Sequence, residues 1–266
     1  MADSTFSAVR FLKCGGEFQL LRLIWLCFEC IKLDIRLLDE PNAAYRMEAS
    51  MKDVIFFDLD GTLTDSQDGI LHSMHYALNV YGLDRSDEEL KTHIGPPLIE
   101  SFRAFGFPPE KLAEATATYR AYFAAHGMFE NRVYDGIETL LMRLKSSGKR
   151  LAVATSKPEK YAVQILEHFH LAQYFERICG CRMDESRSDK AEVIEYAMMS
   201  CALEPSDCAR IVMVGDRYAD IIGAHKNNIA AVAVLYGYGS RKEFEAHGAD
   251  YIVESVPRLQ ELLDTL

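Results

Sequence analysis

The stretch Val54–Thr62 reads VIFFDLDGT, and it determines how the rest of the chain is interpreted. Its first four residues are apolar and β-branched or aromatic, which is typical of a strand buried on both faces in a parallel sheet. Two aspartates, Asp58 and Asp60, follow this run directly, and Gly61 then permits a sharp turn of the backbone. The stretch therefore predicts a buried strand whose carboxyl end carries acidic groups.

Beyond this stretch, short apolar runs alternate with segments of helical periodicity. The further predicted strands are Leu151–Ala154, a short strand at Ile178, Ile211–Val214, Ala230–Leu235 and Tyr251–Val253. The predicted helices are Ile137–Ser147, Pro158–Phe169, Lys190–Cys201, Ala219–Asn227 and Pro257–Leu266. This alternation predicts an α/β fold, a Rossmann-like doubly wound parallel sheet with helices on both faces. Ligands of such sheets bind outside the carboxyl ends of the strands.

One part of the chain, residues 66–133, contains helical patterns only. The helices predicted there are Ile70–Tyr81, Asp87–Thr92, Leu98–Phe105 and Glu110–His126, separated by glycine and proline residues. We therefore expect a small all-helical cap domain, residues 66–133, inserted after the first strand. The α/β core domain then comprises residues 51–65 and 134–266.

Residues 1–50 differ from the rest of the chain. Their apolar run, Leu20–Ile31, is broken by Arg22 and Glu29 and is shorter than the ~20 apolar residues that a transmembrane helix needs. The start, Met1–Ser4, lacks the basic residues of a secretory signal. Three interpretations stay open: an amphipathic docking or membrane-surface helix, an ordered extension packed on the body, or a translated upstream region with Met51 as the real start.

Composition restricts the kinds of partner. The chain has 266 residues with 29 Lys+Arg and 40 Asp+Glu, a formal net charge of −11, which disfavours binding to nucleic acid. The number of cysteines, seven, is odd, and the chain is much longer than disulfide-stapled secreted domains. A reduced, cytoplasmic protein without a membrane span is therefore expected, whereas the sequence does not determine its oligomeric state.

Four polar clusters follow predicted strands, where the ligand is expected. They are Asp58–Thr62, Thr155–Lys157, Lys190 and Gly215–Asp220. Four carboxylates brought to one crevice repel one another unless a cation lies between them. Oxygen ligands with room for water suit Mg²⁺. The clusters therefore predict a magnesium site formed by Asp58, Asp60, Asp216 and Asp220.

The same residues suit a phosphate monoester. Lys190 supplies a positive charge and Thr155 a hydroxyl for a phosphoryl group beside the metal. Asp58, nearest the rigid strand, is the candidate nucleophile, and attack by its carboxylate gives an aspartyl-phosphate intermediate. Asp60 then protonates the leaving alcohol and later deprotonates water. Gly61 lets backbone N–H groups approach the phosphate oxygens.

This arrangement resembles the haloacid dehalogenase (HAD) superfamily of phosphohydrolases over residues 51–266. Its four motifs are matched by Asp58–Thr62, Thr155, Lys190 and Gly215–Asp220, and the cap after the first strand resembles the helical C1-cap subclass. Further stretches resemble the phosphoglycolate phosphatase branch, which includes 5′-nucleotidases: Gly95–Leu98, Tyr134–Gly136, Lys190–Ile194 and Leu235–Ser240.

The resemblance implies roles for single residues. Asp58 is the implied nucleophile and a Mg²⁺ ligand, and Asp60 is the implied acid/base and binds Mg²⁺ through its backbone carbonyl. Asp216 is an implied direct ligand, with Asp220 beside it or one layer behind. The implied catalytic or phosphate-binding groups are Gly61, Thr62, Thr155, Ser156 and Lys190, and Ser156 stands where close relatives often carry Asn.

The sequence thus predicts a Mg²⁺-dependent phosphatase acting on a small phosphorylated metabolite such as phosphoglycolate, a nucleoside monophosphate or a sugar phosphate. Asp60 favours phosphoryl transfer over dehalogenation, because dehalogenases lack an acid/base two residues after the nucleophile. Two alternatives stay open: a phosphomutase of the β-phosphoglucomutase type and a non-catalytic HAD-like binding protein. Tyr119, Arg120 and Tyr122 on the last long cap helix are interpreted as packing within the cap, with contact to the substrate as the alternative.

Overall fold

The predicted strand at residues 54–57 lies at the centre of a six-stranded sheet. The computed structural model describes residues 51–95, 97–184 and 186–266, so the interpretations of residues 1–50 lie outside the described residues. The strands are β1 (Val54–Phe57), β2 (Thr64–Asp65), β3 (Arg132–Val133), β4 (Arg150–Pro158), β5 (Arg177–Cys181), β6 (Ile211–Gly215), β7 (Ala230–Val234) and β8 (Tyr251–Val253).

Ten α-helices connect or follow these strands in the described part of the chain. They are α1 (Gln67–Val80), α2 (Asp87–Lys91), α3 (Leu98–Ala104), α4 (Leu112–Tyr122), α5 (Ile137–Ser146), α6 (Glu159–His168), α7 (Lys190–Ser200), α8 (Tyr218–Lys226), α9 (Arg241–Ala246) and α10 (Val256–Thr265). Within residues 51–95, 97–184 and 186–266, no helix combines the length and the apolar character needed to cross a bilayer.

The main sheet is parallel throughout, with the order β5-β4-β1-β6-β7-β8. The last residue of β1, Phe57, pairs with Val153 on one side and Val214 on the other. The residues that follow β1, β4 and β6 are therefore neighbours at one edge of the sheet. This register places the predicted functional clusters side by side.

Alternate residues of β1 enter different apolar cores. Ile55 and Phe57 pack with helices α5, α6 and α10 on one face, together with much of the helical insert, residues 66–133. Val54 and Phe56 pack with α7, α8 and α9 on the other face. Because both faces of the sheet are covered, every residue of the central strand β1 is apolar. The predicted α/β fold with a doubly wound parallel sheet is confirmed.

The helical insert begins and ends at a short ribbon. Strands β2 and β3 pair antiparallel, Thr64 with Val133 and Asp65 with Arg132. The sequence pattern does not indicate this ribbon, because a two-residue strand is too short to show periodicity. The long helix expected over Glu110–His126 is three elements: a 3₁₀ turn at Pro109–Lys111, α4, and a π-helical turn at Phe123–Gly127.

Two further differences concern element ends. Strand β4 continues through Pro158, so the predicted cluster Thr155–Lys157 belongs to an irregular strand end, and α6 starts one residue after the proline. Pro158 is extended, with ψ of 125°, and so precedes the helix rather than opening it. Helix α9 was not predicted, because its six residues bury only Phe244.

Candidate active site

The sheet edge brings the predicted residues together from separate elements. Asp58 follows β1, and its N–H donates to the Val214 carbonyl at 2.9 Å, which ties it to the neighbouring strand. Thr155 lies in β4, and Asp216 follows β6. Lys190 begins α7, whose N-terminus is capped by Asp189. The carboxyl ends of these strands therefore meet as the register requires.

Lys190 is the electrostatic centre of the site. Its ammonium lies 2.9 Å from Oδ1 of Asp58 and 2.8 Å from Oδ1 of Asp220, and it donates to the Ala154 carbonyl at 3.1 Å. The residue is only 5% exposed. Burial opposes its charge, but the carboxylates of Asp220 and Asp58 outweigh this effect and raise the pKa of Lys190. Lys190 is therefore held as a buried cation against two acidic groups.

The carboxylates near Lys190 are strongly perturbed. Burial raises the pKa of Asp58 to about 6, against the attraction of Lys190 and with added repulsion from Asp220. The pKa of Asp216 lies well above its usual range because the group is buried and because Asp220 and Asp58 lie close to it. The single ammonium of Lys190 thus does not balance the negative charge of the three nearby carboxylates. A bound cation would reduce this repulsion.

Asp216 is held from two sides. Its Oδ2 accepts from the Tyr238 N–H at 2.8 Å, and Thr62 Oγ1 lies 3.5 Å from its Oδ1. Gly61 adopts a positive φ of 79°, and a Cβ at this position would collide with the Asp216 carboxylate. The turn after β1 therefore requires glycine, both for its backbone conformation and for the approach of Asp216.

The oxygen atoms of three carboxylates fit a divalent cation. Asp58, Asp216 and Asp220 each offer one oxygen, all within 4.8 Å of one another, and all three residues are buried. An all-oxygen donor set of this kind suits Mg²⁺. The carboxylate of Asp60 is not part of this group, and its Oδ2 lies 2.6 Å from the Lys157 ammonium.

The predicted phosphate-binding residues divide into two sets. Thr155 and Ser156 line the pocket together with Asp58. Gly61 and Thr62 do not line this pocket. The Thr62 side chain is fully buried because the tight turn directs its hydroxyl toward Asp216.

The pocket lies between the sheet edge and the helical insert and has a volume of about 470 Å³. Its insert side is mainly apolar and is formed by Ile70, Met74, Ile94, Leu98, Tyr119 and Phe123. Tyr119 and Phe123 stack with their rings 5.8 Å apart. Tyr119 and Arg120 line the pocket, and Tyr119 also packs on Phe123 as the packing interpretation predicts. Tyr122 stacks on Tyr76 at 4.8 Å.

Polar contacts join the insert to the sheet. An Arg217 Nη donates to the Ile94 carbonyl, while its Nε lies 3.1 Å from Oε1 of Glu243. Arg120 Nη1 donates to the Met183 carbonyl at 2.9 Å. The insert therefore covers the acidic cluster in this conformation.

Three side chains at the site were missed as functional candidates from the sequence. Lys157 belongs to a cluster that the sequence singled out, but only its distance to Asp60 shows its contact with the predicted acid/base. Arg217 lies inside the Gly215–Asp220 motif, and Tyr238 lies inside the Leu235–Ser240 stretch. The only sequence signal for these three residues was their position within or beside a motif. Their contacts with other side chains are evident only from the structure.

A buried lysine between aspartates at the carboxyl edge of a parallel sheet, beside a carboxylate trio, defines a hydrolase of the phosphatase class. The family profile described as "Haloacid dehalogenase-like hydrolase" matches residues 55–234. The chain belongs to this family, and the resemblance drawn from its motifs is confirmed.

Similar proteins cover most of the chain. A 5′-nucleotidase of Pseudomonas aeruginosa is 40% identical over 213 residues, which are 79% of this chain and 95% of the relative. Tyrosine-protein kinase PtkA of Mycobacterium tuberculosis is 43% identical over 214 residues, 80% of this chain and 72% of the relative. The crystal structure of a predicted phosphatase from Clostridium acetobutylicum is 46% identical with a TM-score of 0.77, covering 82% of this chain and 100% of that one.

Proposed function

We propose that this protein is a Mg²⁺-dependent phosphatase that hydrolyses small phosphate monoesters through a phosphorylated Asp58. The observation that carries the proposal is the position of the Lys190 ammonium, 2.9 Å from Asp58 and 2.8 Å from Asp220 at the floor of the pocket. A buried cation there opposes the charge of a phosphoryl group and of the carboxylate that attacks it.

The metal ligands in this proposal are the carboxylates of Asp58, Asp216 and Asp220, together with the backbone carbonyl of Asp60 that the family resemblance implies. When bound, Mg²⁺ offsets the negative charge of the carboxylates and of the phosphoryl oxygens. The Tyr238 N–H and the Thr62 side chain contact the Asp216 carboxylate on the side of the turn after β1.

The chain's own residues perform two displacements. A carboxylate oxygen of Asp58 attacks phosphorus, the bond from phosphorus to the leaving oxygen breaks, and Asp60 gives that oxygen a proton. Water then attacks the phosphoryl group and loses a proton to Asp60, and the bond to Asp58 breaks to release phosphate. Thr155 and Lys190 hold the phosphoryl oxygens, and Lys157 orients Asp60.

The helical insert acts as a cap over these steps. Its contacts through Arg217 and Arg120 keep the pocket covered, which excludes water from the phosphorylated aspartate until the leaving group has departed. Opening of the cap at the β2–β3 ribbon admits substrate and releases product. Cys179, Cys201 and Cys208 are free thiols, which supports a cytoplasmic location.

Among the candidate substrates we favour nucleoside 5′-monophosphates. The apolar pocket wall with Tyr119 and Phe123 suits a flat ring, and about 470 Å³ exceeds what a two-carbon glycolate needs. The name of the Pseudomonas relative, a 5′-nucleotidase, supports the same choice.

The test is phosphate release from nucleoside 5′-monophosphates, phosphoglycolate and sugar phosphates, with and without Mg²⁺. Turnover that requires Mg²⁺ and disappears in Asp58→Asn is expected, and absence of turnover in the whole panel contradicts the proposal. Reaction in ¹⁸O-labelled water distinguishes a phosphomutase, because only a hydrolase transfers solvent oxygen to the phosphate.

Matched variants test the substrate class. Tyr119→Ala removes a ring from the pocket, whereas Tyr122→Ala removes one stacked on Tyr76 outside it. Loss of stacking should raise KM for nucleotides about tenfold in the first variant only. Equal effects on nucleotides and sugar phosphates would contradict stacking of a base against Tyr119.

A further inference from the structure

Tyr238 contacts both the acidic cluster at the sheet edge and the start of the helical insert. Its backbone N–H donates to Oδ2 of Asp216 at 2.8 Å. Its phenolic oxygen accepts from the Ser66 N–H at 2.9 Å and donates to Oδ1 of Asp65 at 3.2 Å. One residue thus joins a carboxylate of the acidic cluster to the point where the chain leaves the sheet for the helical insert.

The backbone around Tyr238 is closely fitted to Asp216. A Cβ on Gly237 would collide with the Gly61 carbonyl and the Asp216 side chain, and a Cβ on Gly239 would collide with the Asp216 carbonyl and the Phe244 ring. The segment therefore has little room to move independently of Asp216, and a shift of this carboxylate is passed to Tyr238.

The Tyr238 hydroxyl reaches the β2–β3 ribbon, whose two strands lead into and out of the helical insert. Oδ1 of Asp65 accepts from Tyr238, while Oδ2 accepts from Arg132 Nη2 at 2.5 Å across the β2–β3 ribbon. Ser66 is buried and follows β2 directly. The Tyr238 hydroxyl thus supports the outgoing strand, and Asp65 connects that strand to the returning one.

We infer that Tyr238 is a positioning residue that couples occupation of the metal site at Asp216 to the setting of the β2–β3 ribbon, and so to closure of the insert. A cation that fixes the Asp216 carboxylate also fixes the Tyr238 backbone, and the phenol then holds Asp65 and Ser66. Coupling of this kind is reciprocal, so a closed insert in turn favours the bound cation. The inference rests on the metal site of the proposed function.

Amide hydrogen exchange of the full chain tests the coupling without measuring activity. Mg²⁺ should slow exchange at residues 64–66 and 131–134 of the unmodified protein. Tyr238→Phe keeps the ring and the N–H bond to Asp216 but removes the hydroxyl and its hydrogen bonds with Ser66 and Asp65. It should reduce this slowing by at least about threefold to tenfold, which is the effect of losing a single hydrogen bond.

Tyr236→Phe is the matched control, because its hydroxyl donates to the Thr62 carbonyl at 3.1 Å and not to the ribbon. It should keep the Mg²⁺-dependent slowing. In steady-state assays, Tyr238→Phe should raise the Mg²⁺ concentration for half-maximal rate, with a smaller change in kcat at saturation.

Two results would overturn the coupling: ribbon exchange that does not respond to Mg²⁺ in the unmodified protein, or an undiminished response in Tyr238→Phe. Calorimetric Mg²⁺ titration and phosphate release separate this failure from that of the proposed function. Mg²⁺ binding and turnover without a ribbon response contradict the coupling alone, whereas absence of binding contradicts both.

Discussion

The ammonium of Lys157 lies 2.6 Å from Oδ2 of Asp60 and 4.7 Å from the centroid of the Phe123 ring. The first contact holds the proposed acid/base at the floor of the pocket, and the second reaches the helical insert above it. Since the Lys157 side chain is only 7% exposed, water is largely excluded from both contacts. The orientation of Asp60 therefore depends on a residue that the insert covers.

Replacement of Lys157 should impair the chemical step. Lys157→Gln removes the ion pair that orients Asp60, and kcat should fall by about 10²-fold, the cost of misplacing a reacting group by ~1 Å. Mg²⁺ affinity should change little, because Lys157 does not contact Asp58, Asp216 or Asp220. Lys160→Gln, on the exposed surface of α6, is the control. Steady-state kinetics that show an unchanged kcat in Lys157→Gln would contradict this role.

A side chain at Gly61 would have two effects, strain from the positive φ and a collision with Asp216, and a comparison with Gly82 separates them. Gly61 and Gly82 both adopt positive φ, 79° and 68°, but a Cβ at Gly82 meets no atom within 4 Å. Gly82→Ala should therefore lower the free energy of unfolding by only about 1–2 kcal/mol. Gly61→Ala adds a collision with Asp216, and should also abolish Mg²⁺ binding measured by calorimetry. Normal Mg²⁺ affinity in Gly61→Ala would refute the assignment of Asp216 as a ligand.

The sequence predicted the core of the site because the polar clusters at Asp58, Thr155 and Asp216 come directly after apolar runs. The strand register then had to bring Asp58, Thr155 and Asp216 together, as pairing of Phe57 with Val153 and Val214 shows. Contacts made by side chains from distant segments were not predictable in this way. The ring of Phe123 reaches Lys157 from a π-helical turn that the sequence pattern presents as ordinary helix.

Short elements escaped prediction for a different reason. The ribbon pair Thr64–Asp65 and Arg132–Val133 and helix α9 are stabilised by contacts distant in sequence and by caps, such as Ser240 accepting from the Glu243 N–H. Neither has enough residues to produce a periodic apolar pattern. The function of Tyr238 depends on that ribbon, so it too lay beyond the sequence.

Lys190 should contribute to stability as well as to catalysis. Lys190→Met leaves Asp58 and Asp220 buried without their partner, and should lower the free energy of unfolding by about 3–5 kcal/mol at pH 7. Lys226→Met breaks a surface pair with Asp189 in which both side chains are more than half exposed, and its effect should be close to zero. Urea denaturation measures both. Equal stability of the two variants would show that Lys190 does not offset buried charge.

The Asp53–Arg210 pair gives a pH-dependent contribution to stability. The hydrogen bond from Arg210 lowers the pKa of Asp53, with a minimum separation of 2.5 Å between the two groups. A lowered folded-state pKa stabilises the protein above the ordinary value of about 3.9, and this stabilisation is lost as pH falls through the lowered value. Because Arg210 is 43% exposed, we expect only about 0.5 kcal/mol.

Urea denaturation should therefore give Asp53→Asn a free energy of unfolding about 0.5 kcal/mol below that of the unmodified protein from neutral pH down to about pH 5. Below about pH 4 this difference between the two proteins should shrink. Asp84→Asn, at an exposed position, is the control and should show no such trend. A deficit of Asp53→Asn that grows on acidification would contradict the assigned sign.

The most direct test of the central claim is mass spectrometry of peptides from acid-quenched reactions with a nucleoside 5′-monophosphate and Mg²⁺. The account predicts a transient phosphoryl group on Asp58, which forms before phosphate release reaches its steady rate and is absent in Asp58→Asn. Phosphate release without any phosphorylated Asp58, or continued release by Asp58→Asn at the normal rate, would contradict it.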